Sequence, residues 1–268
     1  MAWMVPDELW AFVAPLLPPP PSHARGGRPR IPDRKALAGI LFILRSGCPW
    51  SLLPAELGCG SGSTCWRRLR DWQKAGVWRR LERRLLQRLG DADQIDWSRA
   101  SIDSTSVPAK GGEATGPNPT DRGKAGSKRH LVVDGQGLPL ATLLTAANVN
   151  DSVVFEQVLE AIPPVRRPFG QAGRPRWRPA KVHADKAYDK PHCRRYCWEH
   201  HMGCRIARIG IESSERLGRH RWYVERTGAW YNRFRRLRVR DERRADLHQA
   251  FISLATAWIL FIRLYPQY

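Results

Sequence analysis

The spacing of apolar and polar positions divides the chain into two unlike parts. After the helix start Pro6-Asp7-Glu8, Leu9, Trp10, Val13 and Leu16/Leu17 recur at helical spacing, and the run Pro18 to Pro21 ends that helix. Ser22 to Pro32 is rich in Gly, Pro and Arg, so residues 18–32 are expected to form a solvated linker. Asp33 is expected to cap a second helix that runs through Ser46 and closes at Gly47. A third helix follows Gly60-Ser61-Gly62-Ser63-Thr64 and runs to about Ala75, and Gly76 separates it from a fourth, Val77 to Leu89. Short helices joined by tight glycine turns suit a helix-turn-helix-like module over residues 1–95.

From about Trp97 the pattern changes. Ser101 to Val107 and Arg129 to Thr145 are rich in β-formers, and Asp134-Gly135-Gln136-Gly137 interrupts the latter as a hairpin turn. A helix from Asp151, a strand from Lys181 to Asp185, a helix from Pro191, a strand from Cys204 to Ile209 and a long helix from Arg219 to Arg240 are expected to follow. The apolar stretch Leu247 to Leu264 is nearly long enough to span a bilayer, but His248, Gln249 and Arg263 within it favour a buried C-terminal helix. Three strands in a row and then alternating helix and strand predict an α/β fold over residues 96–268, a mixed sheet flanked by helices.

Charge adds a partner to this outline. Forty-five Lys and Arg face twenty-five Asp and Glu, a net charge of +20, so the expected partner is a polyanion, with nucleic acid first. An anionic membrane would favour basic residues flanking an exposed apolar helix, and the basic clusters lie elsewhere. No secretory signal is evident at the N-terminus, so a cytoplasmic location is expected, with Cys48, Cys59, Cys65, Cys193, Cys197 and Cys204 as reduced thiols.

Three acids stand out against this basic background. In an extended strand Ile102 and Ser104 point to one face and Asp103 to the other, while His183 and Asp185 share a face opposite Val182 and Ala184. If the two strands are parallel neighbours, the two carboxylates converge at their C-terminal ends and could bind a divalent cation together. The plainer alternative is that each Asp caps the following turn. On the long helix, residues at 100° intervals place Thr227, Trp230, Phe234 and Leu237 on one side and Arg226, Arg233, Arg236 and Arg240 on the other, with Glu225 at the edge of the basic face. Thirteen Arg and five acids lie between Arg205 and Arg244, so a phosphate backbone is expected there, and a bound cation would reconcile Glu225 with it. An i,i+4 salt bridge from Arg221 to Glu225 is the alternative and does not exclude the first.

These residues lie in motifs that resemble a known family, the bacterial insertion-sequence transposases with an RNase H-like catalytic domain, in particular the family of insertion sequence five. The resemblance covers almost the whole chain. It is carried by Gly47-Cys48-Pro49-Trp50 with Leu53-Pro54, by Gly116-Pro117-Asn118-Pro119-Thr120-Asp121-Arg122-Gly123-Lys124 and by Ala184-Asp185-Lys186-Ala187-Tyr188-Asp189. Most specific is Arg219-His220-Arg221-Trp222-Tyr223-Val224-Glu225-Arg226-Thr227 with Phe234-Arg235-Arg236-Leu237. It implies an RNase H-like fold, Asp103, Asp185 and Glu225 as catalytic and metal-binding triad, and two Mg²⁺ ions for which Mn²⁺ substitutes. It also implies element ends and target DNA as partners, a homodimer or higher synaptic complex, and a bacterial, nucleoid-associated location. One departure is visible: Gly218 and Asn232 stand where related proteins often carry Tyr and Lys, and Arg233 or Arg235 is the candidate substitute for the latter. A non-catalytic repressor derived from a transposase and a structure-selective nuclease on the same fold are the alternative readings.

Expected DNA contacts are Arg67, Arg70 and Lys74 on the third helix, Lys124 and Lys128, and Arg221, Arg226, Arg233, Arg236 and Arg240. The tetrapeptide Gly-Arg-Pro-Arg, at 27–30 and again at 173–176, could lay Arg into a minor groove, though linkers share this composition. Cys193, Cys197 and Cys204 with His192, His200 and His201 nearby could suggest zinc, but no paired Cys-x-x-Cys accompanies them, and packing or free thiols are expected.

Overall fold

The structure, a computed structural model, describes residues 4–20, 29–211 and 214–268, the side chains of 214–221 excepted. Helix α1 (Asp7–Val13) is followed by a 3-10 turn, and α2 (Asp33–Ser46) closes at Gly47, whose φ of 71° is the left-handed cap that a side chain would disfavour. Pro32, not Asp33, occupies the N-cap position of α2. The Asp33 carboxylate instead pairs with Arg30 at 3.0 Å and with the buried Arg68 at 2.8 Å, tying α2 to α3 (Gly62–Lys74). Ser61 caps α3 by accepting a hydrogen bond from Thr64 N. Gly76 turns the chain into α4 (Val77–Asp91), and Trp72 and Trp78 close the corner edge to face, centroids 5.7 Å apart.

Among the described residues six strands form one sheet. β1 (Ala100–Pro108) pairs antiparallel with β3 (Ala125–Asp134), which pairs antiparallel with β4 (Pro139–Ala146), and the two-residue β2 (Gly116–Pro117) sits beside the start of β3. On its other side β1 runs parallel to β5 (Lys181–Ala184), and β5 parallel to β6 (Gly203–Ile206). The main path is therefore β4-β3-β1-β5-β6, three antiparallel strands joined through β1 to a parallel pair. Helix α5 (Asp151–Glu160), capped by Asn150, precedes β5, and α6 (Pro191–Glu199) connects β5 to β6.

Two long helices complete the chain. α7 (Ser214–Asn232) begins five residues before the expected start and ends well short of Arg240. α8 (Ala245–Leu264) is apolar enough to cross a membrane by length and composition, but it is mostly buried, packed against α3, α4 and β4. One contiguous apolar cluster runs from Leu37, Leu41 and Trp72 through Leu85 to Val132, Phe251 and Phe261. The N-terminal helices and the sheet thus meet across α8.

Candidate active site

β1 and β5 pair as Ala100↔Val182 and Ser101↔His183. Carried two residues past the paired positions, the same offset would set Asp103 opposite Asp185, the residue that follows β5. The Asp103 carboxylate accepts a hydrogen bond from Ser104 N at 2.9 Å. Asp185 follows β5 and caps a 3-10 turn, Lys186–Tyr188, by accepting from Ala187 N at 3.0 Å. The capping role expected as the plainer alternative is therefore present at Asp185.

The turn after Asp185 folds Tyr188 back into the interior against Phe155 of α5, centroids 5.8 Å apart. Its phenolic oxygen is buried without a hydrogen-bond partner among the described residues. Burial pushes the phenol well above the ordinary tyrosine range, and the charges of Asp151, Asp103 and Asp185 push it the same way. Three carboxylates thus lie within electrostatic reach of one oxygen. Sequence reasoning missed Tyr188 and Asp151, and the signal available for Tyr188 was its place three residues after Asp185 in the quoted motif.

α7 lies across the face of β1 that carries Asp103. A Cβ added at Gly228 would meet Thr105 Oγ1 at 3.8 Å, and Thr105 shares the face of Asp103. Glu225 is exposed one turn earlier on the same helix. The helix is fixed at that height by Thr227, whose hydroxyl lies 2.5 Å from Gly137 O, by a bond from Arg226 to Gln136 O, and by Tyr231, buried under Arg129 and 2.6 Å from Thr256 Oγ1. The Arg221 side chain, and with it the expected Arg221–Glu225 pair, lies outside the described residues.

Among the described residues no three His, Cys, Asp or Glu side chains form a closed metal-ligand group. Asp103 on β1 and Asp185 just past its parallel neighbour β5 nevertheless suit Mg²⁺, which takes hard oxygen donors, often only one or two carboxylates, and completes its shell with water and phosphate. The Cys cluster is different: Cys193 and Cys197 are buried on α6, and Cys204 faces them from β6. A hydrogen bond from Cys197 pulls the Cys204 thiol down to about 6 against the effect of burial, with Arg194 Nη1 3.7 Å away, while the same bond and burial push Cys197 up.

The expected DNA contacts divide by exposure. Arg67 and Lys74 are exposed on α3, while Arg70 pairs with Asp71 at 2.8 Å and leans over Trp66. Lys124 is largely exposed. Lys128, by contrast, is engaged with Asp151 and Val149 O, both at 2.8 Å, and so anchors α5 to β3. The stripe expected on one helix does not exist, because the helix ends at Asn232. Arg233 is exposed, and Arg226 lies against the rings of Trp222, Tyr223 and Trp230. Arg236 is buried on Glu242 at 2.6 Å. Arg240 is fully buried, giving hydrogen bonds to Glu242 O, Ala114 O and Ser127 Oγ, because its backbone bridges to the chain just past β1. Arg236 and Arg240 therefore hold the fold together and cannot reach a phosphate in this arrangement.

Comparison with known proteins shows the family. Residues 98–260 match a family described as "Transposase DDE domain", and residues 5–82 match one described as "Putative transposase of IS4/5 family". Two relatives come from Burkholderia cepacia. One, an "Insertion element IS402 uncharacterized 16.2 kDa protein", is 56% identical over 119 residues, 43% of this chain and 81% of the relative. The other, a "Putative transposase for insertion sequence element IS402", is 49% identical over 145 residues, 54% of this chain and 67% of the relative. Domains of the DDE type generally use divalent metal ions, and their fold is RNase H-like, with which the antiparallel-then-parallel order around β1 agrees. The chain belongs to the DDE transposase family, in its IS4/5 branch.

Proposed function

We propose that this protein cuts DNA at the ends of a mobile element and joins the freed ends to target DNA, with Asp103, Asp185 and Glu225 as its catalytic carboxylates. The observation that carries this reading is the parallel pairing of β1, which holds Asp103, with β5, which Asp185 follows, both charges reaching the Tyr188 phenol and the helix of Glu225 crossing β1. The two aspartates would hold Mg²⁺, or Mn²⁺ in its place, with Glu225 as third ligand and two ions in the complete site. Bound there, the cation supplies Lewis-acid polarisation of the phosphate and makes water a stronger nucleophile near neutral pH.

The chain's own residues do the positioning. Arg67 and Lys74 on α3, with Lys124 and Arg233, hold phosphates, so that the scissile group lies over the strand ends. In the first step water attacks phosphorus in line and a 3′-hydroxyl leaves; in the second that 3′-hydroxyl attacks a target phosphate and displaces another 3′-oxygen. No protein–DNA bond forms. Residues 1–95 are the unit that reads the element ends and 96–268 the unit that cuts. The protein works in the cytoplasm, at the nucleoid, as a dimer or higher complex that brings two ends together.

The test is purified protein with labelled element ends, Mg²⁺ and a target plasmid. Asp103→Asn, Asp185→Asn and Glu225→Gln keep shape and remove charge, so each is expected to abolish cutting and joining while DNA binding survives. A double variant should be little worse than a single one, as for groups that act on the same ions. Robust Mg²⁺-dependent cutting by Glu225→Gln would remove Glu225 from the site. Wild-type protein that binds the ends without nicking them would favour the repressor reading, and nicking without joined products the nuclease.

A further inference from the structure

Between α5 and β5 the chain makes a long excursion whose charge no internal contact explains. Residues 161–180 contain Arg166, Arg167, Arg174, Arg176 and Arg178 and no Asp or Glu. Among the described residues none of these five guanidiniums forms an ion pair. Uncompensated like charges repel one another, so a run of them gives the isolated fold no stability.

The excursion is built, not slack. Val165 is buried on α4 at Gly90, where even a methyl group would come within 2.2 Å of Val165 Cγ1. Val165 and Arg176 exchange two backbone hydrogen bonds of 2.8 and 2.7 Å, and Gln87 of α4 accepts from Arg166 N at 2.9 Å. Pinned at this neck, the arm carries Phe169 at its tip, fully exposed to solvent. Arg167, Arg174 and Arg178 each precede a proline, which biases their backbones toward extended conformations and lowers the entropy cost of ordering them on a ligand.

We propose that this arm is a second contact surface for duplex DNA, with Arg166, Arg167 and Arg174 on phosphates and Phe169 laid into a groove. Charge complementarity selects the occupant: a stiff, acid-free, arginine-rich hairpin with an exposed apolar wedge suits the spaced phosphates of a duplex and its minor groove. Its place selects which DNA. The arm leads into the start of β5, beside Trp97, whereas Asp185 follows the end of that strand, four residues beyond Lys181 and so on the order of 13 Å away. DNA on the arm is therefore not the phosphate at the carboxylates but flanking duplex or a second duplex. The inference rests on the proposed function only in taking DNA as the natural polyanion.

The test is a binding titration of the full-length protein without divalent ions, using a fluorescent duplex of roughly 40 base pairs over a range of salt concentrations. The triple variant Arg166→Gln/Arg167→Gln/Arg174→Gln is expected to bind at least tenfold more weakly, with the slope of log K against log salt reduced by about 2 to 3. Phe169→Ala is expected to weaken binding with the slope unchanged. Thermal unfolding midpoints equal to wild type would confirm that these exposed changes leave the fold intact. Wild-type affinity and slope in the triple variant would overturn the proposal, as would a defect seen with anionic vesicles and absent with the duplex. Because no cutting is measured, the arm can stand if the catalytic reading fails: Asp103→Asn should titrate with the wild-type slope.

Discussion

Arg236 shows how little a helical stripe says about a single guanidinium. Spacing places it on a solvent-facing basic row, yet its side chain is buried and held by Glu242 at 2.9 and 2.6 Å, with Cys48 O accepting at 3.2 Å. Removing one partner of such a pair leaves an uncompensated buried charge, so Arg236→Ala is expected to cost about 3–5 kcal/mol. Chemical denaturation would show the loss, while the salt slope of DNA binding stays at the wild-type value. His130 offers a pH counterpart. It is buried on β3 with Nε2 2.8 Å from Thr145 Oγ1, and burial pushes it down to about 4, only partly offset by Asp151. The fold thus holds the ring neutral while the unfolded chain takes up a proton near pH 6.5, about its ordinary value. Stability present above that pH is lost as pH falls through it to about 4, on the order of 3 kcal/mol in all. His130→Asn should flatten this limb of the denaturation midpoint against pH, and an unchanged limb would mean that the ring is not held neutral.

At the scale of elements, local pattern and distant contacts can be separated. The strands that carry or precede Asp103 and Asp185 were legible from their β-formers, and their parallel pairing, stated only as a condition in the sequence, was supplied by the fold. The short N-terminal helices were legible from their glycine stops. The end of α7 was not, since Arg233, Arg236 and Arg240 continue a helical period on paper. Past that end Arg240 is held by remote contacts: its backbone is taken by Pro108 O and Lys110 N beside the end of β1, and no window of local sequence contains both partners. Tyr188 was hidden for a similar reason, because its burial depends on Phe155 of α5. α3 keeps its basic face in the structure and carries the prediction that belongs here. If Arg67 and Lys74 each neutralise one phosphate, the double variant Arg67→Ala/Lys74→Ala should lower the salt slope by about 1.8. Preference for element ends over unrelated duplex should fall as well. Loss of general affinity alone would mean that α3 holds the backbone without reading sequence.

At the scale of the whole molecule, two units of sequence share one interior. α8 is the strut between them: Trp50 stacks on Phe251 at 5.8 Å, Arg45 lies 3.9 Å over Trp258, and α3 and α4 pack along the helix opposite β4. Removing residues 1–95 would bare that side of a 20-residue apolar helix. Each large side chain so exposed forfeits about 1.5–3 kcal/mol, so five or six of them approach the roughly 5–15 kcal/mol by which whole domains are stable. The two units are therefore expected not to fold apart from one another. Full-length protein is expected to unfold in one cooperative transition, with near-ultraviolet circular dichroism and tryptophan fluorescence coinciding. The fragment 96–268 is expected to be insoluble, or to retain helix without fixed side-chain packing and to bind a hydrophobic dye. The dye matters, because a failure to express could have other causes, whereas a compact, dye-binding fragment locates the fault at the uncovered face of α8. Replacing Phe251 and Trp258, which Trp50 and Arg45 cover, in that fragment by polar residues should then reduce dye binding and raise solubility without restoring a sharp transition. A fragment that melts cooperatively by itself would show that the sheet and α8 hold their own core, and that the N-terminal helices are an attached module.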